Sequence, residues 1–294
     1  MIQDILPKHF DNQYKRQVPQ AGDYVLLFEG TCVLAKQEAE ELVCPTYEML
    51  AGDFQYIYLF SVDEEKYFLA MEKCEVQRGV FAGEMADADV HQEYVSVIEG
   101  FEFIGVNTFR MSKPKDRAFA VITAYHLYGW YRDNKRCGRC GDKLVHDDKE
   151  RMLRCPVCKN MVYPKISPAV IVGVTNGSKL LLTKYAGRTY KNYALIAGFT
   201  EIGETLEQTV EREVMEEVGL KVKNIRYYKS QPWALSGSLL AGFYCELDGD
   251  DTIRLQEEEL SVGEWVEAED IDPEDDGISL TREMIVNFRN NVVG

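Results

Sequence analysis

The stretch Gly198–Leu220, with the sequence GFTEIGETLEQTVEREVMEEVGL, decides the fold of the C-terminal part of this chain, because it joins a loop to a strongly amphipathic helix. Thr205 and Gln208 have the spacing of a capping box, which predicts the first turn of that helix. Gly219 is suited to its C-terminal end. The apolar stripe predicted to face the core consists of Leu206, Val210, Val214 and Val218.

Three glutamates of this helix, Glu213, Glu216 and Glu217, fall within one arc of about 100° that adjoins the apolar stripe. Their position is unfavourable without a counter-charge, because like charges lie one turn apart, the helix C-terminus disfavours anions and partial burial desolvates them. A bound divalent cation reverses these effects, and carboxylate oxygens suit Mg²⁺ or Mn²⁺. The alternative to a metal site is a solvated acidic helix. That alternative fits Glu207 and Glu211 better than it fits the three glutamates beside the stripe.

Four of the eight cysteines form two Cys-x-x-Cys pairs, Cys137/Cys140 and Cys155/Cys158. Two such pairs supply the four thiolates that Zn²⁺ prefers, and a filled shell predicts one structural zinc per subunit. A redox dithiol needs only one pair, and iron–sulfur spacings are usually different. The intervening segment predicts two short strands of a zinc ribbon. The single cysteines, predicted to be small buried residues, are Cys32, Cys44, Cys74 and Cys245.

The composition bounds the class of protein. The 294 residues carry 33 Lys and Arg against 49 Asp and Glu, a formal net charge of −16, and 46% of residues are apolar. This excludes wholesale disorder, and the length predicts two domains with room for a third small module. No apolar run approaches the roughly 18 residues that span a bilayer, and the first ten residues lack signal-peptide features. We therefore expect a cytoplasmic protein without a membrane partner.

Positive charge is concentrated in one stretch. Between Arg132 and Lys165 there are ten Lys and Arg but five Asp and Glu, a net charge of +5 before any zinc thiolates are considered. One interpretation is a solvated rim beside an acidic domain. The other is a contact for a phosphate or an RNA chain.

The apolar patterning predicts an α/β chain of the α+β type with four regions. These are a mostly β domain over 1–110, a helical connector over 111–135, the zinc ribbon over 136–164, and a mixed α/β domain over 165–294. Strands of the first domain are predicted at Tyr24–Phe28, Tyr56–Phe60, Tyr67–Ala70 and Val95–Ile98, and a connector helix at Asp116–Tyr131.

The last region begins with a predicted hairpin that turns at Asn176-Gly177. Further strands are predicted at Tyr193–Ala197, Ile225–Tyr228, Ala241–Glu246 and Gly263–Val266, and a final helix at Leu280–Arg289.

The loop and helix of the opening stretch resemble the Nudix box, G-x5-E-x7-R-E-U-x-E-E-x-G-U with U apolar. The matching positions are Gly198, Glu204, Arg212, Glu213, Val214, Glu216, Glu217, Gly219 and Leu220. The resemblance implies a mixed-sheet sandwich that hydrolyses a nucleoside diphosphate linked to another moiety. It assigns Glu213, Glu216 and Glu217 as metal ligands and catalytic carboxylates, with Gly198, Glu204 and Arg212 bracing the loop and helix.

A zinc ribbon before the box, and the sequence SQPWALSGS at Ser230–Ser238 after it, resemble the NADH pyrophosphatase group of Nudix hydrolases, some of which act on NAD-capped RNA. The group motif is SQPWPFPxS, from which this chain departs at Ala234, Leu235 and Ser236. By this resemblance the Ala197 carbonyl and Glu259 bind the metal as well, although Glu259 is flanked by Glu257 and Glu258.

The same resemblance implies the substrate pocket. Tyr163 and Phe199 would flank the nicotinamide ring, and Thr281 would approach the substrate. The segment implied to line the nucleotide pocket comprises Gln231, Pro232, Trp233, Ala234, Leu235, Ser236, Gly237 and Ser238.

The function expected from these observations is hydrolysis of the diphosphate of NADH or NAD to nicotinamide mononucleotide and AMP, dependent on Mg²⁺ or Mn²⁺. Three alternatives remain: removal of the NAD cap from RNA 5′ ends, another substrate such as ADP-ribose, and a module without catalysis. The net charge of −16 weighs against tight nonspecific RNA binding. The resemblance also implies a homodimer, and it leaves open which glutamate is the general base.

Overall fold

The computed structural model describes residues 1–38, 41–50, 53–72, 98–187, 192–256 and 258–293. They divide into an N-terminal unit, Ile5–Pro164, and a C-terminal unit, Met1–Asp4 with Lys165–Gly294. Within the described ranges, no helix is both long and apolar enough to cross a membrane.

The N-terminal unit is built on a sheet of seven strands in its described residues. The strands are β1 (Phe10–Asp11), β2 (Tyr24–Glu29), β3 (Cys32–Glu38), β4 (Glu41–Val43), β5 (Phe54–Val62), β6 (Glu65–Glu72) and β7 (Glu102–Gly105). Their order is β1-β5-β6-β2-β3-β4, and β7 pairs with β3. The predicted mostly β character is confirmed, and three predicted strands lie inside β2, β5 and β6. Cys74 and most of the fourth, residues 95–97, fall outside the described ranges.

Helix α1 (Lys115–Asp133) packs on this sheet through aromatic side chains. The Phe119 ring meets Phe10 edge-on at 5.0 Å between centroids, and the Tyr128 ring stacks on Phe28 at 5.0 Å. The predicted connector helix is therefore confirmed, and it extends slightly beyond the predicted residues at both ends.

The zinc ribbon follows α1 and consists of three two-residue strands. They are β8 (Val145–His146), β9 (Leu153–Arg154) and β10 (Met161–Val162), and β9 pairs antiparallel with both neighbours. The two strands predicted between the cysteine pairs are confirmed.

The C-terminal unit contains a mixed sheet between two helices. Its described strands are β11 (Ser167–Asn176), β12 (Lys179–Tyr185), β13 (Ile196–Phe199), β14 (Val222–Trp233), β15 (Ser238–Leu247) and β16 (Leu260–Glu267), and its helices are α2 (Leu206–Val218) and α3 (Leu280–Val293). The order is β14-β15-β11-β12-β16, with β13 also paired to β11. Strands β11 and β15 are parallel and the other pairs antiparallel, so the mixed α+β class is confirmed.

Strand β11 shows how the layers form, because its successive side chains face opposite sides of the sheet. Val170, Val172 and Val174 belong to the core cluster that includes the apolar stripe of α2. Ile171 belongs to the cluster that includes α3 residues such as Met284. One helix therefore covers each face, and α2 carries its glutamates along the edge of a buried surface.

Two predicted features of this unit are displaced. Asn176 still pairs with Lys179, so the hairpin loop is Gly177–Ser178, with Gly177 at φ +62°. The strand predicted at Tyr193–Ala197 begins later in the structure, as β13 (Ile196–Phe199). Ala194, before it, makes only an isolated bridge to Thr183. The later start places Gly198 and Phe199 within the strand that faces α2.

Residues Met1–Asp4 belong to the C-terminal unit, a placement that no sequence signal indicated. Met1 is 8% exposed and joins the cluster that contains Ile171 and Leu180. The Ile2 amide donates to the Ile278 carbonyl at 3.0 Å.

Candidate active site and metal centre

Helix α2 begins and ends as its sequence predicts. The Thr205 hydroxyl accepts from the Gln208 amide at 3.2 Å, and the Gln208 side chain accepts from the Thr205 amide at 2.9 Å. Gly219 has a φ of +69°, and its amide donates to the Met215 carbonyl at 3.0 Å. The capping box and the glycine stop are confirmed, so the register of the glutamates on this helix is fixed.

Arg212 ties the loop between β13 and α2 to the helix. Its Nε and Nη2 donate to the two oxygens of Glu204 at 2.6 and 2.9 Å, and Nη2 also donates to the Phe199 carbonyl at 2.9 Å. Glu204 additionally accepts from the Glu201 amide at 3.1 Å and from the Thr209 hydroxyl at 3.0 Å. The guanidinium, followed by the Glu201 amide, lowers the pKa of Glu204 to about 2.

Glu213 lies against the backbone of β13. A Cβ atom added to Gly198 would overlap its carboxylate, which explains why a glycine is needed there. Burial raises the pKa of Glu213, the Arg212 guanidinium opposes this shift, and the charges of Glu216 and Glu259 add to it. The structure therefore brings Glu259, from the turn before β16, within electrostatic range of Glu213.

The three glutamates differ in exposure and partners. The side chain of Glu216 is 54% exposed, whereas Glu213 is 12% exposed, and Arg212 Nη1 bridges the two at 3.0 and 2.7 Å. Glu217 is buried at 4% exposure, and its backbone carbonyl accepts from the Gln256 amide at 3.0 Å. This arrangement offers several hard oxygen donors, beside a fixed guanidinium, on the face of one rigid helix.

These carboxylates suit a cation by chemistry but are not gathered around one point. Within the described ranges, only a set of four thiols brings three or more ligand atoms of His, Cys, Asp or Glu within 4.8 Å of one another. Arg212 is the cation shared by Glu213 and Glu216 here. Binding one metal ion through several glutamates therefore requires side-chain rotation, which flexible glutamates allow.

The predicted residues of the nicotinamide site lie on two units. Phe199 ends β13 and is 54% exposed, with its carbonyl engaged by Arg212. Ala197, two residues earlier, pairs with Ile171 of β11. Tyr163 belongs to the N-terminal unit, is 51% exposed, and donates its hydroxyl to Glu150 at 2.7 Å.

The predicted nucleotide-pocket segment forms the end of β14, a four-residue turn and the start of β15. Pro232 and Ser236 are exposed, whereas Trp233 and the turn residues Ala234, Leu235 and Gly237 are half-buried. Ser238 is buried, and its hydroxyl lies 2.8 Å from that of Ser236. Thr281 is half-buried in the first turn of α3.

Gln231 stands apart from this segment because its side chain is fully buried. Its amide nitrogen donates to Gln3 Oε1 at 3.0 Å and to the Ile278 carbonyl at 2.8 Å. Its oxygen accepts from the Leu280 amide at 2.7 Å, at the first residue of α3. This side chain therefore holds the start of α3 against β14, and its predicted place in the nucleotide pocket stays a prediction.

The four thiols, Cys137, Cys140, Cys155 and Cys158, form the second candidate site. Cys137 Sγ lies 3.5 Å from Cys158 Sγ, and Cys140 Sγ lies 3.4 Å from Cys155 Sγ, far beyond disulfide bonding distance. Tetrahedral zinc with Zn–S bonds of about 2.3 Å requires S···S separations of nearly 4 Å. The set therefore fits one zinc ion and leaves no position for a substrate.

The two knuckles that carry these thiols share one backbone geometry. The Gly141 amide donates to the Cys137 carbonyl at 2.8 Å, and the Lys159 amide donates to the Cys155 carbonyl at 3.1 Å. Gly141 and Lys159 both adopt a left-handed conformation, with φ of +81° and +62°. The amide of Cys158 lowers the pKa of the Cys155 thiol, which favours the thiolate that binds metal.

Thr209 is a site residue that the sequence reasoning missed. It is fully buried, and its hydroxyl donates to Glu204 at 3.0 Å and to the Thr205 carbonyl at 3.1 Å. The sequence feature that could have indicated it is a hydroxyl side chain next to Val210, on the border of the apolar stripe.

Comparison with known proteins gives matches for the two candidate sites. Residues 165–288 match the NUDIX domain, and residues 132–163 match the NADH pyrophosphatase zinc ribbon domain. A protein named NAD-capped RNA hydrolase NudC from Actinobacillus succinogenes is 40% identical over 168 residues, which cover 55% of this chain and 63% of that protein. Its namesake from Shigella flexneri is 40% identical over 145 residues, covering 49% and 56%.

The chain thus spans about three fifths of the length of these relatives. Among solved structures, a NUDIX hydrolase from Nitrosomonas europaea is 23% identical and covers 53% of this chain and 91% of its own, with a TM-score of 0.45.

Proposed function

We propose that this chain, which carries a NUDIX domain behind an NADH pyrophosphatase zinc ribbon domain, hydrolyses the diphosphate bond of NADH or NAD to nicotinamide mononucleotide and AMP. The observation that carries the proposal is the cluster on α2, where Glu213 lies against Gly198 and shares Arg212 with Glu216. The names of the curated relatives support the same dinucleotide chemistry.

The residues that would hold Mg²⁺ or Mn²⁺ are Glu213, Glu216, Glu217, Glu259 and the carbonyl of Ala197. A divalent ion there supplies positive charge to the diphosphate oxygens and activates water as a nucleophile. Of this set, Glu213 and Glu259 already interact electrostatically, which supports Glu259 as a member.

The protein's own contribution is positioning and proton handling. Arg212 is held by two hydrogen bonds to Glu204, so it keeps Phe199 and the loop in place beside the glutamates. Burial raises the pKa of Glu213, which brings that carboxyl closer to the range in which it accepts a proton from water. Coupled carboxylates share such a proton, so the base is the group of glutamates rather than one residue.

Substrate selection falls to exposed groups around the carboxylates. Phe199 presents an aromatic ring that is 54% exposed, and flat nicotinamide rings stack on such faces. Tyr163 is proposed as the second ring, and the segment 231–238 with Thr281 as the wall of the nucleotide pocket. Residues Ala234, Leu235 and Ser236 of this segment depart from the group motif, so variants at these positions are the first test of the preference between NADH and NAD.

The four cysteine thiols are proposed to hold one structural Zn²⁺ per subunit. We also propose a homodimer and a cytoplasmic location. The location is supported by seven described cysteines that form no disulfide, as expected in a reducing compartment.

A product assay tests the proposed reaction. NADH is incubated with the protein and Mg²⁺ or Mn²⁺, with and without EDTA, and nicotinamide mononucleotide and AMP are quantified. We expect both products with metal and none with EDTA. Glu216→Gln, at an exposed position, should lower turnover by about two orders of magnitude or more with little loss of folding, whereas Glu207→Gln on the opposite side should retain activity. Intact NADH under all metal conditions, or full activity of Glu216→Gln, would contradict the assignment.

Removal of the NAD cap from RNA is the second candidate function. It is favoured by the excess of Lys and Arg between Arg132 and Lys165, a net charge of +5 that zinc on four thiolates would reduce to about +3, in a chain of net charge −16. Comparing cleavage of free NADH and NAD-capped RNA over a range of salt concentrations separates the two substrates, because RNA backbone contacts weaken with salt. The same product assay with ADP-ribose tests the third substrate.

A further inference from the structure

A cavity of about 560 Å³ lies in the N-terminal unit, and the proposed hydrolysis does not use it. The extended segment Tyr14–Gln20 forms one side, and parts of β5, β6 and β8 form the other. Its wall includes Lys15, Arg16 and Lys66, and none of the described residues that line it is an aspartate or glutamate. In a chain of net charge −16, this is a local positive surface that favours an anionic ligand.

Lys66 can meet such a ligand directly, whereas Lys15 and Arg16 can do so by exchanging their aspartate partners for it. Lys66 has no ion pair among the described residues. Lys15 pairs with Asp11 at 2.5 Å, and Arg16 pairs with Asp148. The side chains of Arg16 and Asp148 are 61% and 76% exposed, and exposed pairs of this kind are weak enough for a phosphate to replace the aspartate.

The same wall contains aromatic rings that are held in place. Tyr14 donates its hydroxyl to the Asp147 carbonyl at 2.9 Å, and the guanidinium of Arg151 lies 6.0 Å from its ring centroid. Tyr56 packs edge-on against Tyr47 at 5.1 Å between centroids and is only half-buried. Fixed, partly exposed rings are suited to stacking of flat groups.

Amide side chains complete the lining. Gln17, Gln20 and Gln55 contribute to the wall, and each offers both hydrogen-bond donors and an acceptor. His146 of the ribbon also lines the cavity, and burial lowers the pKa of its imidazole, so that it contributes a neutral hydrogen-bonding group near pH 7. The lining therefore combines positive charge, flat rings and amides.

This combination matches the chemistry of single-stranded nucleic acid. Lysine and arginine contact phosphates, unstacked bases lie on tyrosine rings, and amides contact base edges. A duplex keeps its base faces inside the stack, where a tyrosine wall has no access to them. A membrane surface offers phosphates but no flat groups, so it would leave the rings and amides without a role.

We propose that this cavity binds a short single-stranded stretch of RNA. The inference rests on the proposed function in its capped-RNA form and adds to it a second contact surface, for the RNA chain rather than the dinucleotide. It predicts that the N-terminal unit distinguishes capped RNA from free NADH, because only the former has phosphates beyond the diphosphate bridge.

The test uses the full chain and removes the three cations together, as Lys15→Gln, Arg16→Gln and Lys66→Gln. The matched control removes three exposed cations of the C-terminal unit, as Lys179→Gln, Lys223→Gln and Arg226→Gln, whose side chains are 44%, 51% and 70% exposed. Both variants change the net charge by the same amount. Binding is measured with an uncapped, 5′-phosphorylated single-stranded RNA of about twelve nucleotides, and turnover is measured with NADH and with NAD-capped RNA.

We expect the cavity variant to bind the uncapped RNA at least about tenfold more weakly than the wild type. The slope of log affinity against log salt should become shallower by roughly 2, since each lost phosphate contact contributes about 0.7. Its efficiency on capped RNA should fall in parallel, while NADH hydrolysis stays within about twofold of the wild type. The control variant should retain most of its RNA binding.

Equal weakening in the control variant, or unchanged RNA binding in the cavity variant, would overturn the proposal. So would stronger binding of a duplex of the same length, or binding of phosphatidylserine vesicles in place of RNA. Tyr56→Phe should bind RNA as the wild type does, whereas Tyr56→Leu should bind it severalfold more weakly. Equal RNA binding by both variants would show that bases do not stack on this ring. A wild type that binds RNA but leaves NADH intact would contradict the proposed function alone.

Discussion

At the scale of single residues, the contact between Gly198 and Glu213 constrains the site most tightly. The carboxylate occupies the space where any other residue would carry its Cβ atom. Arg212 then fixes the same carboxylate from its other side at 2.7 Å. A strand backbone on one side and a guanidinium on the other therefore restrict the space that this carboxylate can occupy.

Gly198→Ala is expected to lower turnover by about 100-fold or more, because it displaces the Glu213 carboxylate by an ångström or so. The fold should survive, since the overlapping group is the end of a flexible side chain and not backbone. Steady-state kinetics with NADH and a thermal melt measure the two effects. Gly129→Ala, where an added Cβ meets nothing within 4 Å, is the matched control. Native turnover in Gly198→Ala would show that Glu213 does not need this position.

Glu204 predicts a pH dependence of stability. Its pKa of about 2 in the folded protein lies below the usual value of about 4.3 in an unfolded chain. A lowered pKa means that the ionised group stabilises the fold above about pH 4.5, and that this contribution is lost as the pH falls toward 2. The denaturation midpoint of Glu204→Gln should therefore lie below that of the wild type at pH 7, and the gap should narrow below pH 4.5. A gap that stays constant down to pH 3 would contradict this.

At the scale of elements, the sequence predicted the features that depend only on contacts between neighbouring residues. The ends of α2 follow from Thr205, Gln208 and Gly219, since capping involves only neighbouring residues. The start of β13 could not be predicted in this way, because the pairing of Gly198 with Val170 is set by a distant strand. The same holds for Gln231, whose partners Gln3, Ile278 and Leu280 are remote in sequence.

The left-handed conformation of Lys159 predicts that a substitution can stabilise the second zinc knuckle. It holds the left-handed position in the second zinc knuckle that Gly141 holds in the first. A side chain at such a φ costs about 1 kcal/mol or more, so Lys159→Gly should stabilise the ribbon by roughly 0.5 kcal/mol. At the equivalent position of the first knuckle, Gly141→Ala should destabilise the ribbon by about 1 kcal/mol. Thermal melting and the rate of zinc loss to a chelator measure both variants, and a lower melting temperature for Lys159→Gly would refute the strain at this position.

At the scale of the whole molecule, the sequence reached the class of fold and the identity of both candidate sites, because each depends on a dense motif. It did not reach the cavity beside Tyr14–Gln20, since that lining combines an extended segment, two strands and the ribbon. The nearness of Glu259 to Glu213, which relates a turn before β16 to α2, followed from the family resemblance and not from local patterning. Sites assembled from separate elements appear only once the chain has folded.

Zinc removal is predicted to unfold the ribbon, since a structural site of this kind contributes on the order of 10 kcal/mol. A strong chelator, with Mg²⁺ restored afterwards, should lower the melting temperature and make four thiols reactive toward a disulfide reagent. Cys44 and Cys245 should stay unreactive, because burial raises the pKa of each thiol to about 12. Reactivity of the four thiols before chelation would contradict a filled metal shell.

The placement of Met1–Asp4 bears on how this chain is made and dissected. These residues complete a core with strands encoded more than 150 positions later, so they leave the ribosome long before their partners exist. A fragment that starts at Lys165 would lack Met1 beside Ile171 and Leu180, and Gln231 would lose its bond to Gln3. The C-terminal unit therefore cannot be obtained by one cut, and a fragment that keeps its core has to include these four residues, joined through a linker.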